Sequence, residues 1–184
     1  MGEDGATLID LFSGCGGLAL GMHQAGFRTV LANEIHPDPA STYIHNLIPE
    51  NPEIMAIGPI QEILSEEYLE EWKRKNKFDV DCVSGGPPCQ GFSVAGRGIS
   101  DDPRNFLIHE YLRVVRKIMP KTVIFENVPG FANRYDLGLR DYLHESLEKE
   151  GYTISSGILR ARDFGVPQLR KRFIAIGIRN DILG

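Results

Sequence analysis

Cys89 sits in the stretch G-G-P-P-C-Q-G-F-S, residues 85–93, just beyond the hydrophobic run D-V-D-C-V-S. A thiolate is a strong nucleophile, but a free thiol is mostly protonated at neutral pH, so Cys89 needs electropositive surroundings. Gly85 and Gly86 let the backbone turn sharply, while Pro87 and Pro88 fix φ and stiffen the approach to the thiol. The alternative, a buried structural cysteine, suits Cys82 better, because that residue lies inside the run itself. A carboxyl able to hydrogen-bond or exchange a proton, Glu126, closes the later run K-T-V-I-F-E-N beside Asn127. Taken alone, Glu126 reads more simply as a helix cap or loop acid. Positive charge is available in Q-L-R-K-R, where Gln168, Arg170 and Arg172 alternate and would share one face of an extended chain. Alone, that group is a solvated basic edge.

A second set of residues points to a nucleoside. Gly14-Cys15-Gly16-Gly17-Leu18-Ala19 fits a relaxed G-x-G-x-x-A pattern between an apolar run and a helical one. Glycines allow close backbone approach, and the helix start offers unpaired N–H groups to an electronegative ligand. Glu34 follows twenty residues after Gly14, at the end of the next apolar run, where a carboxylate can accept two ribose hydroxyls. The same residues also suit a tight turn packed on a sheet, and the spacing does not separate NAD from other nucleoside cofactors. Cys15 reads as a small packing residue rather than a second nucleophile.

These groups must be positioned by the elements around them. Apolar runs at 7–12, 27–34, 54–57, 79–84, 121–127, 152–159 and 172–178 read as strands. Helical periodicity is expected up to Gln24, over 39–46, across E-E-Y-L-E-E-W-K, over 105–118 and over 137–150. Gly26 closes the first helix. Strands alternate with helices, which indicates an α/β, doubly wound, mostly parallel sheet. The last two strands have no helix between them, so the last strand is expected to run antiparallel. Ligands of such sheets lie beyond the carboxyl ends of the strands, where Cys89, Glu126 and Glu34 all fall.

Bulk properties set the limits. A chain of 184 residues is expected to form a single domain, 1–184, with a cofactor-binding half over about 1–80 and the catalytic loops over 81–184. No apolar run is long enough for a membrane span, and the N-terminus lacks a signal-peptide core. Three cysteines without metal-like spacing argue for a reducing, intracellular compartment: cytoplasm if bacterial, nucleus if eukaryotic. The net charge of −5 does not favour nucleic acid, but charge is unevenly spread. Glu66, Glu67, Glu70 and Glu71 form one acidic, solvated helix face, whereas Arg160, Arg162, Arg170, Lys171 and Arg172 cluster near the C-terminus.

Taken in order, D-L-F-S-G-C-G-G, N-E, G-G-P-P-C-Q-G-F-S, F-E-N-V and G-V-P-Q-L-R-K-R resemble the motifs of the C5-cytosine DNA methyltransferases, from Leu8 to about Asp181. The resemblance implies the class I, Rossmann-like methyltransferase sheet and S-adenosylmethionine as cofactor. It implies that Phe12, Ser13, Gly14, Cys15, Gly16, Gly17, Glu34, Ile35 and Leu107 hold that cofactor. Cys89 would add to C6 of a flipped-out cytosine, Glu126 would bond its N3 and N4 edge, and Arg172 would contact the ring. Asn127 would orient the loop around them, with Pro88, Gln90, Ser93, Gln168 and Arg170 in support. Residues 93–102 match the loop that closes over the flipped base. The implied partner is double-stranded DNA.

The chain departs from that pattern in three places. Gly58-Pro59-Ile60 stands where an acid often contacts the adenine amino group, with Glu62 as a substitute nearby. Ile35 stands where an aromatic ring often packs on adenine. The motifs of a target-recognition domain and a C-terminal helix are not in these residues, which implies a complementary segment or second polypeptide and an uncovered apolar surface near Leu18 and Leu20. Two alternatives remain open at this point: a tRNA cytosine-5 methyltransferase, and a non-catalytic nucleic-acid-binding module that keeps the fold. An NAD-dependent oxidoreductase fits only the glycine loop.

Overall fold

The structure is a computed structural model that describes residues 5–88, 106–133 and 138–183. Cys89, Gln90, Ser93 and the loop expected over 93–102 lie outside the described residues. The chain opens with strand β1 (Ala6–Leu11), helix α1 (Gly17–Gln24), strand β2 (Phe27–Glu34) and helix α2 (Pro37–Leu47). Strand β3 (Met55–Ile57), helices α3 (Ile60–Ile63) and α4 (Glu66–Lys75) and strand β4 (Cys82–Gly85) follow. Helix α5 (Phe106–Ile118), strand β5 (Thr122–Asn127), helices α6 (Gly130–Asn133) and α7 (Leu139–Lys149), and strands β6 (Tyr152–Arg160) and β7 (Lys171–Arg179) complete it.

These strands form one sheet in the order β3-β2-β1-β4-β5-β7-β6. The first five run parallel to their neighbours, as helical crossovers require. Strand β7 is antiparallel to both β5 and β6, so the expectation for the last strand holds. Its cause is the connection: only a 3₁₀ turn, Ala161–Phe164, and a short loop separate β6 from β7, too little for a crossover.

Alternation along the strands feeds two cores, one on each face. Leu8 and Cys82 pack with Ala19 and Met22 of α1 and Tyr43 and Leu47 of α2. Ile9, Leu11, Val83, Val123, Phe125 and Phe173 pack on the other face with Tyr111 of α5, Phe131 of α6 and Leu143 of α7. Each such large side chain stabilises the fold by roughly 1.5–3 kcal/mol when fully buried. The sheet is therefore doubly wound. The period-two pattern puts Asp10, Ser84 and Glu126 on the face of the smaller core, at the carboxyl ends of their strands.

Several expectations are corrected in detail. Strand β1 stops at Leu11 rather than at 12, because Phe12 takes a left-handed conformation with φ 54°. Gly85 and Gly86 have no positive φ; Gly85 is part of β4, and both glycines answer a shortage of space rather than a turn. The acidic face of α4 is not simply solvated: Glu66 and Glu70 pair with Lys117, and Glu66 also approaches Arg113, clamping α4 to α5. No helix among the described residues is long and apolar enough to cross a membrane.

Candidate active site

A cleft of about 380 Å³ opens at the carboxyl ends of β1, β4 and β5. Phe12, Ser13, Gly17 and Leu18 line one side, and Gly86, Glu126 and Arg170 line the other, with Asp10 and Leu11 at the end of β1. The first side is built by a strained turn. Phe12 in the left-handed region costs about 1–2 kcal/mol, which the surrounding turn must offset. The Ser13 N–H donates to the Asn33 carbonyl at 2.9 Å, which fixes the turn to β2. Gly16 has φ 90°, and a Cβ there would lie 2.4 Å from Leu47 and 2.8 Å from Tyr43, so α2 can sit on the loop only over a glycine.

Glu34 is 8% exposed at the end of β2. One carboxylate oxygen accepts the Gly14 N–H at 2.9 Å and the other accepts the His36 N–H at 2.9 Å. Each oxygen keeps a lone pair, which is what a pair of ribose hydroxyls needs. The Ser13 hydroxyl is buried without a partner among the described residues, an unmet donor and acceptor in the cleft wall. Both observations fit a nucleoside cofactor with polar substituents. The Gly58 N–H donates to the Glu34 carbonyl at 3.0 Å, so Gly58-Pro59-Ile60 is tied beside this acid. Glu62 is exposed on α3, and Ile35 is 53% exposed next to Glu34.

On the other side, Glu126 is the central group. The Arg172 Nε lies 2.8 Å from its Oε1, each side chain being 27% exposed. Its Oε2 lies so close to Gly86 that an added Cβ would meet it at 2.9 Å. Arg172 also donates from Nη1 to the Lys171 carbonyl at 2.8 Å, which holds the guanidinium in place. Asn127, 4% exposed, donates from Nδ2 to the Pro87 carbonyl at 3.0 Å and accepts the Val128 N–H at 2.8 Å. It thus ties the Pro-Pro segment, two residues before Cys89, to the end of β5. Burial pushes the Cys82 thiol up to about 11, so this cysteine is inert.

The structure brings together Phe12, Ser13, Gly17, Glu126 and Arg170 around one cleft, with Arg172 and Asn127 immediately behind. Gly14 and Glu34 are joined by their hydrogen bond, and Cys15, expected as a packing residue, is instead exposed within the loop. Gln168 is exposed before β7, Pro88 is exposed after Pro87, and Leu107 packs against the larger core; none of the three lines this cleft. Of the pair expected to form an uncovered apolar surface, Leu20 is 48% exposed, whereas Leu18 lines the cleft. Sequence reasoning missed Asp10. It is 1% exposed, accepts the Ser84 hydroxyl at 2.5 Å, and leaves its other carboxyl oxygen without a partner among the described residues. Burial pushes its pKa up to about 7, against smaller opposing effects of the Ser84 and Tyr43 hydroxyls. The available signal was a lone carboxylate inside an otherwise apolar strand.

Comparison with known proteins finds relatives along nearly the whole chain. The chain is 42% identical over 174 residues to Type II methyltransferase M1.HphI of Haemophilus parahaemolyticus, covering 93% of this chain and 45% of that protein. It is 42% identical over 181 residues to Type II methyltransferase M.AquIA of Picosynechococcus, covering 94% of this chain and 71% of the relative. A solved DNA modification methyltransferase encoded within an E. coli prophage superposes with a TM-score of 0.79 at 33% identity, over 96% of this chain and 47% of that one. The S. pombe Dnmt2 methyltransferase shares the fold, with a TM-score of 0.70 at 22% identity over 95% of this chain and 49% of that one. The chain thus spans less than half of the first relative and of both solved chains. Residues 6–183 match the family described as C-5 cytosine-specific DNA methylase. The chain belongs to that family.

Proposed function

We propose that this chain is the donor-binding and catalytic part of a DNA cytosine-C5 methyltransferase. The observation that carries this reading is the placement of Glu126. Its carboxylate stands in the cleft wall against Gly86, paired with Arg172, while the neighbouring Asn127 holds Pro87 just before Cys89. Phe12, Ser13, the loop from Gly14 to Gly17, Glu34 and Ile35 are the residues that would hold the donor, with Leu107 in support. The donor of this family, S-adenosylmethionine, supplies an electrophilic methyl group when bound.

Cytosine C5 is a poor nucleophile and must first be made electron-rich. The Cys89 thiolate bonds to C6 while Glu126 hydrogen-bonds the N3 and N4 edge and Arg172 offsets the negative charge. The activated C5 accepts the methyl group. Loss of the C5 proton then expels the Cys89 thiolate and restores the ring. A base stacked in a duplex cannot reach these groups, so the target nucleotide is flipped out. Sequence recognition is assigned to residues other than these 184, in a longer chain or a second polypeptide, and exposed Leu20 supports a covering partner near the glycine loop.

Transfer of a radioactive methyl group from S-adenosylmethionine tests the reading. The chain is assayed alone and with a complementary target-recognition segment, on duplex DNA and on tRNA. The expected result is weak incorporation at cytosine C5 of DNA, raised strongly by the complement. Incorporation into tRNA alone would replace the substrate, and robust sequence-specific methylation by the 184 residues alone would remove the complement.

A further inference from the structure

A second cationic feature lies on the other side of β7 from Glu126. A groove of about 270 Å³ is lined by Arg160, Arg162, Leu169 and Lys171. Arg160, the last residue of β6, stands directly opposite Lys171, the first residue of β7. Since Arg172 faces Glu126, strand alternation sends Lys171 to the opposite side, together with its cross-strand partner Arg160. Like charges directly opposite on a ladder are destabilising. Neither cation has an ion pair among the described residues, and Arg162 approaches only its exposed neighbour Asp163 at 3.5 Å. The backbone beneath is nevertheless held: the Ala161 N–H donates to the Arg170 carbonyl at 2.9 Å, and Gly165 closes the 3₁₀ turn at φ 82°. Two cations without a carboxylate partner among the described residues, beside a third that meets only the exposed Asp163, ask for an external anion.

We propose that this groove binds the phosphodiester backbone of the strand that carries the target base. The inference rests on the DNA reading above and extends it to a site outside the catalytic cleft. The end of β6 and the start of β7 lie beside the carboxyl end of β5, so the backbone flanking a base held at Glu126 and Arg172 passes the same end of the sheet as this groove. In a chain of net charge −5, this basic cluster is where a polyanion is drawn in. Exposed Phe164 and Leu169, 67% and 77% accessible, flank the cations and suit the sugar faces between phosphates.

Fluorescence anisotropy with a labelled duplex, using the full chain between about 50 and 200 mM salt, tests the proposal. The double variant Arg160→Gln/Lys171→Gln is expected to bind several-fold more weakly at the lowest salt. Its slope of log affinity against log salt should fall by about 1.8, and Arg162→Gln should remove roughly 0.9 more. The loss should be uniform across DNA sequences. Arg74→Gln/Lys149→Gln changes the net charge equally on α4 and α7 and should leave the slope unchanged. Equal slopes for the groove variant and the unsubstituted chain, equal losses in both double variants, or no salt-dependent binding at all would overturn the groove. Binding of S-adenosylmethionine, measured by calorimetry on the same samples, separates that failure from failure of the methyltransferase reading.

Discussion

Glu126 has little room to move. Arg172 holds one carboxylate oxygen at 2.8 Å, and the other lies only 2.9 Å from where a Cβ on residue 86 would stand. Gly86→Ala is therefore a clean probe, because the atom displaced is the end of a flexible side chain and not backbone. Stability should change by no more than about 1 kcal/mol in urea unfolding. Methyl transfer should fall by about 100-fold or more in kcat/KM, as when a transition-state hydrogen bond is removed. Unchanged kinetics with an ordinary unfolding midpoint would remove Glu126 from the chemistry. The sequence suggested that Gly86 served a turn, and the real constraint was invisible there because the crowding atom belongs to β5.

At the scale of elements, the βαβ rhythm was legible because the central strands are apolar runs of buried residues and the longer helices show a 3.6-residue period; the four-residue α3 and α6 are too short to show one. The strand ends were legible as well, since Glu34, Glu126 and Asn127 are polar residues closing such runs. What the sequence did not reveal depends on neighbours in space. The insertion of β7 between β5 and β6 requires knowing which ladder Ile174 and Ala175 join. The Asp10–Ser84 contact exists only because β1 and β4 are adjacent in register. Phe12 reads as one more apolar strand residue, yet the turn that places it in the cleft wall comes from its left-handed backbone. Cys89 stands out in the sequence through its Gly-Pro-Pro context but lies outside the described residues, whereas the tie between Asn127 and Pro87 depends on β5 lying beside β4.

The whole molecule carries a built-in pH dependence through Asp10. In the unfolded chain its carboxyl ionises near pH 4, whereas burial holds it protonated in the fold up to about pH 7. Between those values the unfolded state has released a proton that the folded state keeps, so stability falls as pH rises, by roughly 1.4 kcal/mol per unit, and levels off above pH 7. Asp10→Asn cannot ionise. The stability gap between wild type and variant should therefore shift toward the variant by about 2–4 kcal/mol from pH 4.5 to pH 8 in chemical unfolding. Parallel pH curves would show that Asp10 does not titrate in that window. The central claim, a thiol that attacks a cytosine held by Glu126, is tested most directly by covalent trapping on a duplex containing 5-fluorocytosine. With S-adenosylmethionine and a complementary target-recognition segment, the chain should form a denaturation-resistant protein–DNA adduct that Cys89→Ser abolishes. An adduct formed equally well by Cys89→Ser, or none formed by the unsubstituted chain, would contradict the account.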